Sequence, residues 1–253
     1  MHVVSFALAT AVSYVLGVVS SLIFPVLGAP GVSALYVAAA IYVPLGIWMG
    51  LWGALAGFIS CFFLGLWPSG YTPIQAFVWA LADFIEALIP ALFFKLLKID
   101  PDFTLKKPKY TKLMAVLIVF GALLLLLGVG VQVTLGQAFG EPFTTFYVYT
   151  VYIGSLLAAL GIIVSIFIGD PKTWVTYAIS GILLASLFSG LWGAGSLTLW
   201  NFPPPAPPEA FYVIFTGWVI GDIIVLATVG TAMLVTLTPL IKRTGLYVKG
   251  WWS

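Results

Sequence analysis

The sequence predicts an all-α protein: a polytopic transmembrane helical bundle of about eight spans, with N- and C-termini cytoplasmic. Three observations predict it. The 253 residues are 62% hydrophobic and only 7% charged, with a mean hydropathy of +1.16, whereas a soluble domain carries about a quarter charged residues. Several apolar runs approach the roughly 20 residues that a spanning helix needs. The 10 Lys and Arg residues are confined to Lys95 through Lys112, Lys172, and the group Lys242, Arg243 and Lys249.

The spans follow in order. The first covers 3–26 and stops at Pro25 and the GAPG stretch; with no basic residue ahead of it, it reads as a helix rather than a cleaved signal. Residues 33–67 form one apolar stretch, too long for a single span, and divide near Met49 into 33–48 and 50–67. The fourth span, 73–95, precedes the one clearly polar loop, KIDPDFTLKKPKYTK. The fifth and sixth cover 113–133 and 145–168; GDPK turns the chain into a seventh, 173–192. NFPPPAPPEA is too proline-rich to be helical, and the last span covers 211–240. With eight spans every Lys and Arg falls on one side, leaving Glu141 and Glu209 on the other, as the positive-inside rule requires. Without the division at Met49 there are seven spans and the N-terminus changes sides. Trp67, Trp192 and Trp200 fall at the outer interface. Residues 1–253 form a single integral membrane domain, since no loop is long enough to fold alone.

Composition excludes several functions. His2 is the only histidine and Cys61 the only cysteine, which argues against a metal centre, a haem and His-dependent nucleophilic catalysis. No basic, aromatic-laced patch suits nucleic acid, and no GxxxxGK[ST] loop binds nucleotide. No cofactor is expected, and an enzyme is the least favoured class.

The acids carry the functional signal. Asp83 and Glu86 in WALADFIEALIP share a helix face at i and i+3, and Asp222 lies at comparable depth in the last span. A carboxylate at mid-membrane costs at least about 2.5 kcal/mol, and no span holds a Lys or Arg to offset it. Such acids must be protonated, bind a cation, hydrogen-bond to polar groups or face water. Glu86, Asp222 and Asp83 are therefore candidate ligand contacts in a cavity; the alternative is a protonated acid that ties two helices together. Pro90 cannot donate to the Glu86 carbonyl, which leaves a polar spot beside that carboxyl or simply a bend. Trp79 and Trp218 each precede an acid by one turn, placed to cap a cationic or aromatic ligand.

Small residues form a second group. Gly46, Gly50, Gly53 and Gly57 are spaced for close helix packing, or for a tight hairpin with Trp48 and Trp52 at its tip if the chain turns near Met49. Ala7 and Ala11 form a weaker stripe for a partner helix. Gln75, Gln132, Gln137, Ser189 and Asn201 are the remaining polar groups near the outer side, and SGLWGAGSLTLW (189–200) reads as a lid or an interfacial turn.

These features resemble two families. The Gly46–Gly57 segment and the Ala7/Ala11 stripe are similar to those of the substrate-binding S components of energy-coupling-factor transporters. That resemblance implies a small-molecule site and a transmembrane coupling subunit docked on the alanine stripe. The order Pro44–Gly46, ADFIEAL, basic loop, then GWVIGD resembles the eight-helix membrane-associated sensor domain of bacterial signalling proteins. The count departs from the six helices usual in S components, and sensor domains are usually followed by a signalling domain. The expectation is a multi-pass cell-membrane protein, most simply a substrate-binding uptake subunit working with partner membrane subunits. The alternatives are a sensor acting through a separate chain and a structural subunit of a larger complex.

Overall fold

The computed structural model describes residues 2–26, 30–103, 108–132, 135, 140–201 and 203–252. Most of these are helical, with no β-strand among them. Eight helices follow one another: α1 (His2–Ile23), α2 (Ala39–Met49), α3 (Leu51–Leu66), α4 (Pro73–Leu96), α5 (Pro108–Val131), α6 (Phe143–Ile168), α7 (Pro171–Trp200) and α8 (Pro208–Arg243). Five of them, α1, α4, α6, α7 and α8, are long and apolar enough to cross a membrane, which marks a membrane protein. The apolar parts of α2, α3 and α5 are shorter.

Local chemistry sets the helix ends. Thr72 caps α4: its hydroxyl accepts from Gln75 N, and the Gln75 side chain accepts from Thr72 N at 3.0 Å, a capping box with Pro73 at the first position. Asp170 caps α7 by accepting from Thr173 N. Gly50 ends α2 at φ +62°, and a Cβ there would fall 2.7 Å from the Trp251 carbonyl oxygen, so glycine is required at the turn into α3. Within α7 and α8 the helix widens to π turns at Tyr177–Leu184, Ser196–Trp200 and Leu226–Gly230. Around the last of these, the Leu226 carbonyl accepts from Tyr177 Oη at 2.8 Å and Thr231 Oγ1 at 2.9 Å.

The helices pack α1 on α3, α3 on α4, α4 on α7 and α7 on α8, with α2 wedged between α3 and α4. α5 and α6 pack against each other and against the middle of α8. Charge divides the molecule by ends. Lys242 pairs with Asp100 at 2.6 Å, and Lys98, Lys172, Arg243 and Lys249 line hollows at that same end. Glu141 and Glu209 stand at the far starts of α6 and α8.

The second span differs from expectation. Residues 31–38 are not helical, and α2 holds 11 residues, about 16 Å of helix against a hydrocarbon core of about 30 Å. Gly31 has φ +80°, and Ser33 and Ser20 take up backbone groups that a helix would have used. Ser33 Oγ accepts from Leu35 N at 3.1 Å, and Ser20 Oγ accepts from Val37 N at 3.1 Å. The segment reaches α8: a Cβ on Gly221, next to Asp222, would fall 2.3 Å from the Ala34 carbonyl oxygen. Irregular backbone persists at membrane depth only where protein buries it, and Val32, Leu35, Val37 and Ala38 are buried. The turn at Gly50 does divide 33–67 as expected. The seventh helix runs on to Trp200, so SGLWGAGSLTLW is helix rather than lid or turn. Gln137 lies outside the described residues.

Candidate functional site

Asp83, Glu86 and Asp222 are all fully buried. α4 and α8 supply them from opposite walls, and the break before α2 brings Tyr36 and Tyr42 between those walls. Glu86 is the best-partnered acid. Its Oε2 accepts from Tyr42 Oη at 2.6 Å and from Ser189 Oγ at 3.4 Å, and Ser189 Oγ accepts from Trp218 Nε1 at 3.1 Å. The chain Trp218–Ser189–Glu86–Tyr42 thus joins α8, α7, α4 and α2. The Asp222 carboxyl neighbours that of Glu86 and the Trp218 indole, yet neither Asp222 oxygen nor Glu86 Oε1 is in hydrogen-bond geometry with a donor.

Asp83 is the acid that lines a cavity. It neighbours Tyr36, Tyr42 and Cys61, but both its oxygens, and the Tyr36 hydroxyl, lie outside hydrogen-bond geometry. The cavity is bounded by Gly31, Val32 and Ser33 from the irregular segment, Tyr36, Cys61, Trp79, Asp83 and Trp218. Trp79 and Trp218 meet edge to face at 6.3 Å, and Tyr71 stands edge-on to Trp79 at 5.3 Å. The volume is about 10 Å³, room for about one water-sized sphere. Anything larger must displace the Gly31–Ser33 segment or an indole.

The structure therefore brings Asp83, Glu86, Asp222, Trp79 and Trp218 into one region. Comparisons with family models, with curated proteins and with solved structures found no match. The site is read from its own chemistry. Among the described residues no group of His, Cys, Asp and Glu is arranged to hold a metal ion. What the region offers is five carboxyl oxygens outside hydrogen-bond geometry, beneath an aromatic pair and, among the described residues, with no Lys or Arg lining the cavity.

The small-residue positions behave differently from the acids. Gly46, Gly53 and Gly57 face this chain's own helices. A Cβ on them would fall 2.3 Å from the Ala87 carbonyl oxygen, 2.2 Å from Gly46 N and 3.0 Å from the Asp83 carbonyl oxygen, respectively. The stripe thus lets α2, α3 and α4 approach closely enough to seat Tyr42 beside Glu86. Ala7 and Ala11 are exposed and line an apolar groove between α1 and α3 with Phe6, Tyr14, Phe63 and Trp67.

The sequence pattern does not mark Tyr36, Tyr42, Ser33 or Cys61 as site residues. The available signal was a tyrosine pair beside a non-helical Pro-Gly-Val-Ser stretch, visible only once that stretch is placed at mid-depth. Ser189, one of the polar groups the sequence places near the outer side, bridges Trp218 to Glu86. Gln75 and Asn201 are end fittings: Gln75 Nε2 donates to the Pro203 carbonyl at 2.7 Å, and Asn201 Nδ2 to the Gln75 carbonyl.

Proposed function

We propose that this is a small-molecule-binding protein of the cell membrane, a substrate-binding subunit for uptake that works with partner membrane subunits. In this reading all eight helices belong to the membrane domain, the Lys-rich end and both termini face the cytoplasm, and the ligand enters from the opposite end past Trp79 and Trp218. The observation that carries it is Asp83: a fully buried carboxyl, beside Tyr36, Tyr42 and Cys61 but in hydrogen-bond geometry with none of them, lining a cavity capped by two indoles. Carboxyl oxygens under aromatic rings suit a positively charged or donor-rich group, most simply a small organic amine.

The test is thermal stabilisation of the purified protein by a panel of small primary, tertiary and quaternary amines. At least one is expected to raise the melting temperature, and the shift is expected to shrink in Asp83→Asn, Glu86→Gln or Asp222→Asn. If no amine stabilises the protein, or all three variants respond as the parent does, the reading fails.

A second reading, the acids as helix ties in a structural subunit, is favoured by the Trp218–Ser189–Glu86–Tyr42 chain and the small cavity. It predicts co-purification with a larger complex and no stabilisation by any amine. A sensor acting through another chain would bind ligand at the same residues and change the output of a partner kinase or cyclase.

A further inference from the structure

A second hollow, of about 440 Å³, lies at the Lys-rich end and is lined by Ile47, Phe94, Lys95, Lys98, Ile99, Asp100, Tyr247 and Lys249. Among the described residues three cations face it. Its single acid, Asp100, is already held by Lys242 at 2.6 Å. The hollow is built rather than accidental. The segment after α8 lies across the α2–α3 turn, with Val248 N donating to the Trp48 carbonyl at 2.8 Å and Leu51 N to the Trp251 carbonyl at 3.1 Å. Lys95 Nζ donates to the Val248 carbonyl at 2.7 Å and lies 6.0 Å from the Trp251 ring centre, so its ammonium keeps two more N–H donors. Lys98 closes the end of α4 in the left-handed conformation, φ +52°, with Ile99 N donating to the Phe94 carbonyl at 2.9 Å. That position normally takes glycine; here it carries a cation. Burial, with Asp100 nearby, pushes the Tyr247 phenol up to about 12, so it stays a donor at any physiological pH.

The hollow's floor is apolar, from Ile47, Phe94 and Ile99, and Leu96 and Leu97 beside it are exposed. It sits where the apolar helix α4 ends, the depth of lipid headgroups. Basic pockets at such helix ends hold anionic headgroups.

We propose that Lys95, Lys98 and Lys249 form a binding site for the phosphate headgroup of an anionic phospholipid, with Tyr247 as a further donor and the apolar floor beneath the glycerol. The site is independent of the acid cluster and serves to anchor the α2–α3 turn to the surrounding leaflet.

The experiment is native mass spectrometry of the protein released from nanodiscs of equal phosphatidylglycerol and phosphatidylcholine. The parent is expected to retain phosphatidylglycerol selectively. Each lysine near an anionic surface contributes roughly a fivefold preference, so Lys98→Gly with Lys249→Gln is expected to lower the selectivity about 25-fold. Lys98→Gly suits the left-handed backbone there, so the fold is retained. Arg243→Gln, at the same end but lining a different hollow, is expected to keep the selectivity. Equal retention of the two lipids by the parent overturns the proposal, as does an unchanged double variant or an equal loss in Arg243→Gln. Full competition by millimolar inorganic phosphate overturns the lipid as occupant and leaves free phosphate in its place.

Discussion

Two regions of the molecule pack their helices by similar means and fill the contact differently. In the α5–α6 pair, glycine meets glycine: a Cβ on Gly121 would fall 2.6 Å from the Gly154 carbonyl oxygen, and one on Gly154 would fall 2.5 Å from the Gly121 carbonyl oxygen. Ile118, Leu125, Ala158 and Ile162 fill the rest. In the α2–α3–α4 region Gly46, Gly53 and Gly57 make approaches as close, but the space gained holds Tyr42, Asp83 and Glu86, with Asp222 arriving from α8. The first region shows that close helix packing here needs no carboxyl. The second keeps three where each costs at least about 2.5 kcal/mol. Cohesion explains Glu86, which accepts from Tyr42 and Ser189. It does not explain Asp83, which has no donor within hydrogen-bond geometry.

That contrast can be tested from its strongest point outward. Adding one methyl at Gly53 or at Gly154 should cost about 3 kcal/mol, the upper end for overpacking, because the obstructing atoms are backbone. Melting in detergent should show the loss in both, but only Gly53→Ala should disturb the acid cluster. An equal effect of both variants on amine stabilisation would erase the distinction between the regions. Next, Tyr42→Phe should cost about 2 kcal/mol by leaving the Glu86 carboxyl one donor short; a neutral result would mean that the 2.6 Å bond does not tie α2 to α4.

Asp83→Asn should have the opposite sign and stabilise the ligand-free protein by about 1 kcal/mol, as relief of a functional site commonly does. A lowered melting temperature would make Asp83 a helix tie like Glu86. Smallest of all, Asp100→Asn should cost under about 1 kcal/mol, as for exposed ion pairs, and the difference should vanish in high salt.

The sequence made the five long apolar helices legible because hydrophobicity over about 20 residues is a strong signal. It made the chain reversal near Met49 legible through excess length, and the start of α4 through Thr72, Pro73 and Gln75. It did not reveal that residues 31–38 leave the helix. Val32, Leu35, Tyr36 and Val37 are as apolar as a span, and the break depends on Ser20, far away in sequence, accepting from Val37 N. The end of α7 was missed for a related reason: Gly193 and Gly195 read as a loop, whereas Gly193 is where the Trp218 ring lies against the helix, 2.5 Å from a would-be Cβ. The acids and the two indoles stood out because they are rare in such a chain. Which acid lines the cavity was beyond the sequence, since i and i+3 share a face and only the neighbouring tyrosines separate Asp83 from Glu86.

The break before α2 has an electrical consequence. A helix that begins at mid-depth presents its amino end there, and no side chain caps it. Aligned peptide dipoles place partial positive charge at such an end, reduced here because Ala39 N, Ala40 N and Ile41 N donate to the carbonyls of Tyr36, Val37 and Ala38. Tyr42, one turn into α2, touches Glu86, so that partial charge lies beside the carboxyls. Among the described residues no Lys or Arg lines the acid cavity, but the helix start sets beside the acids a modest positive field that neither titrates nor diffuses away.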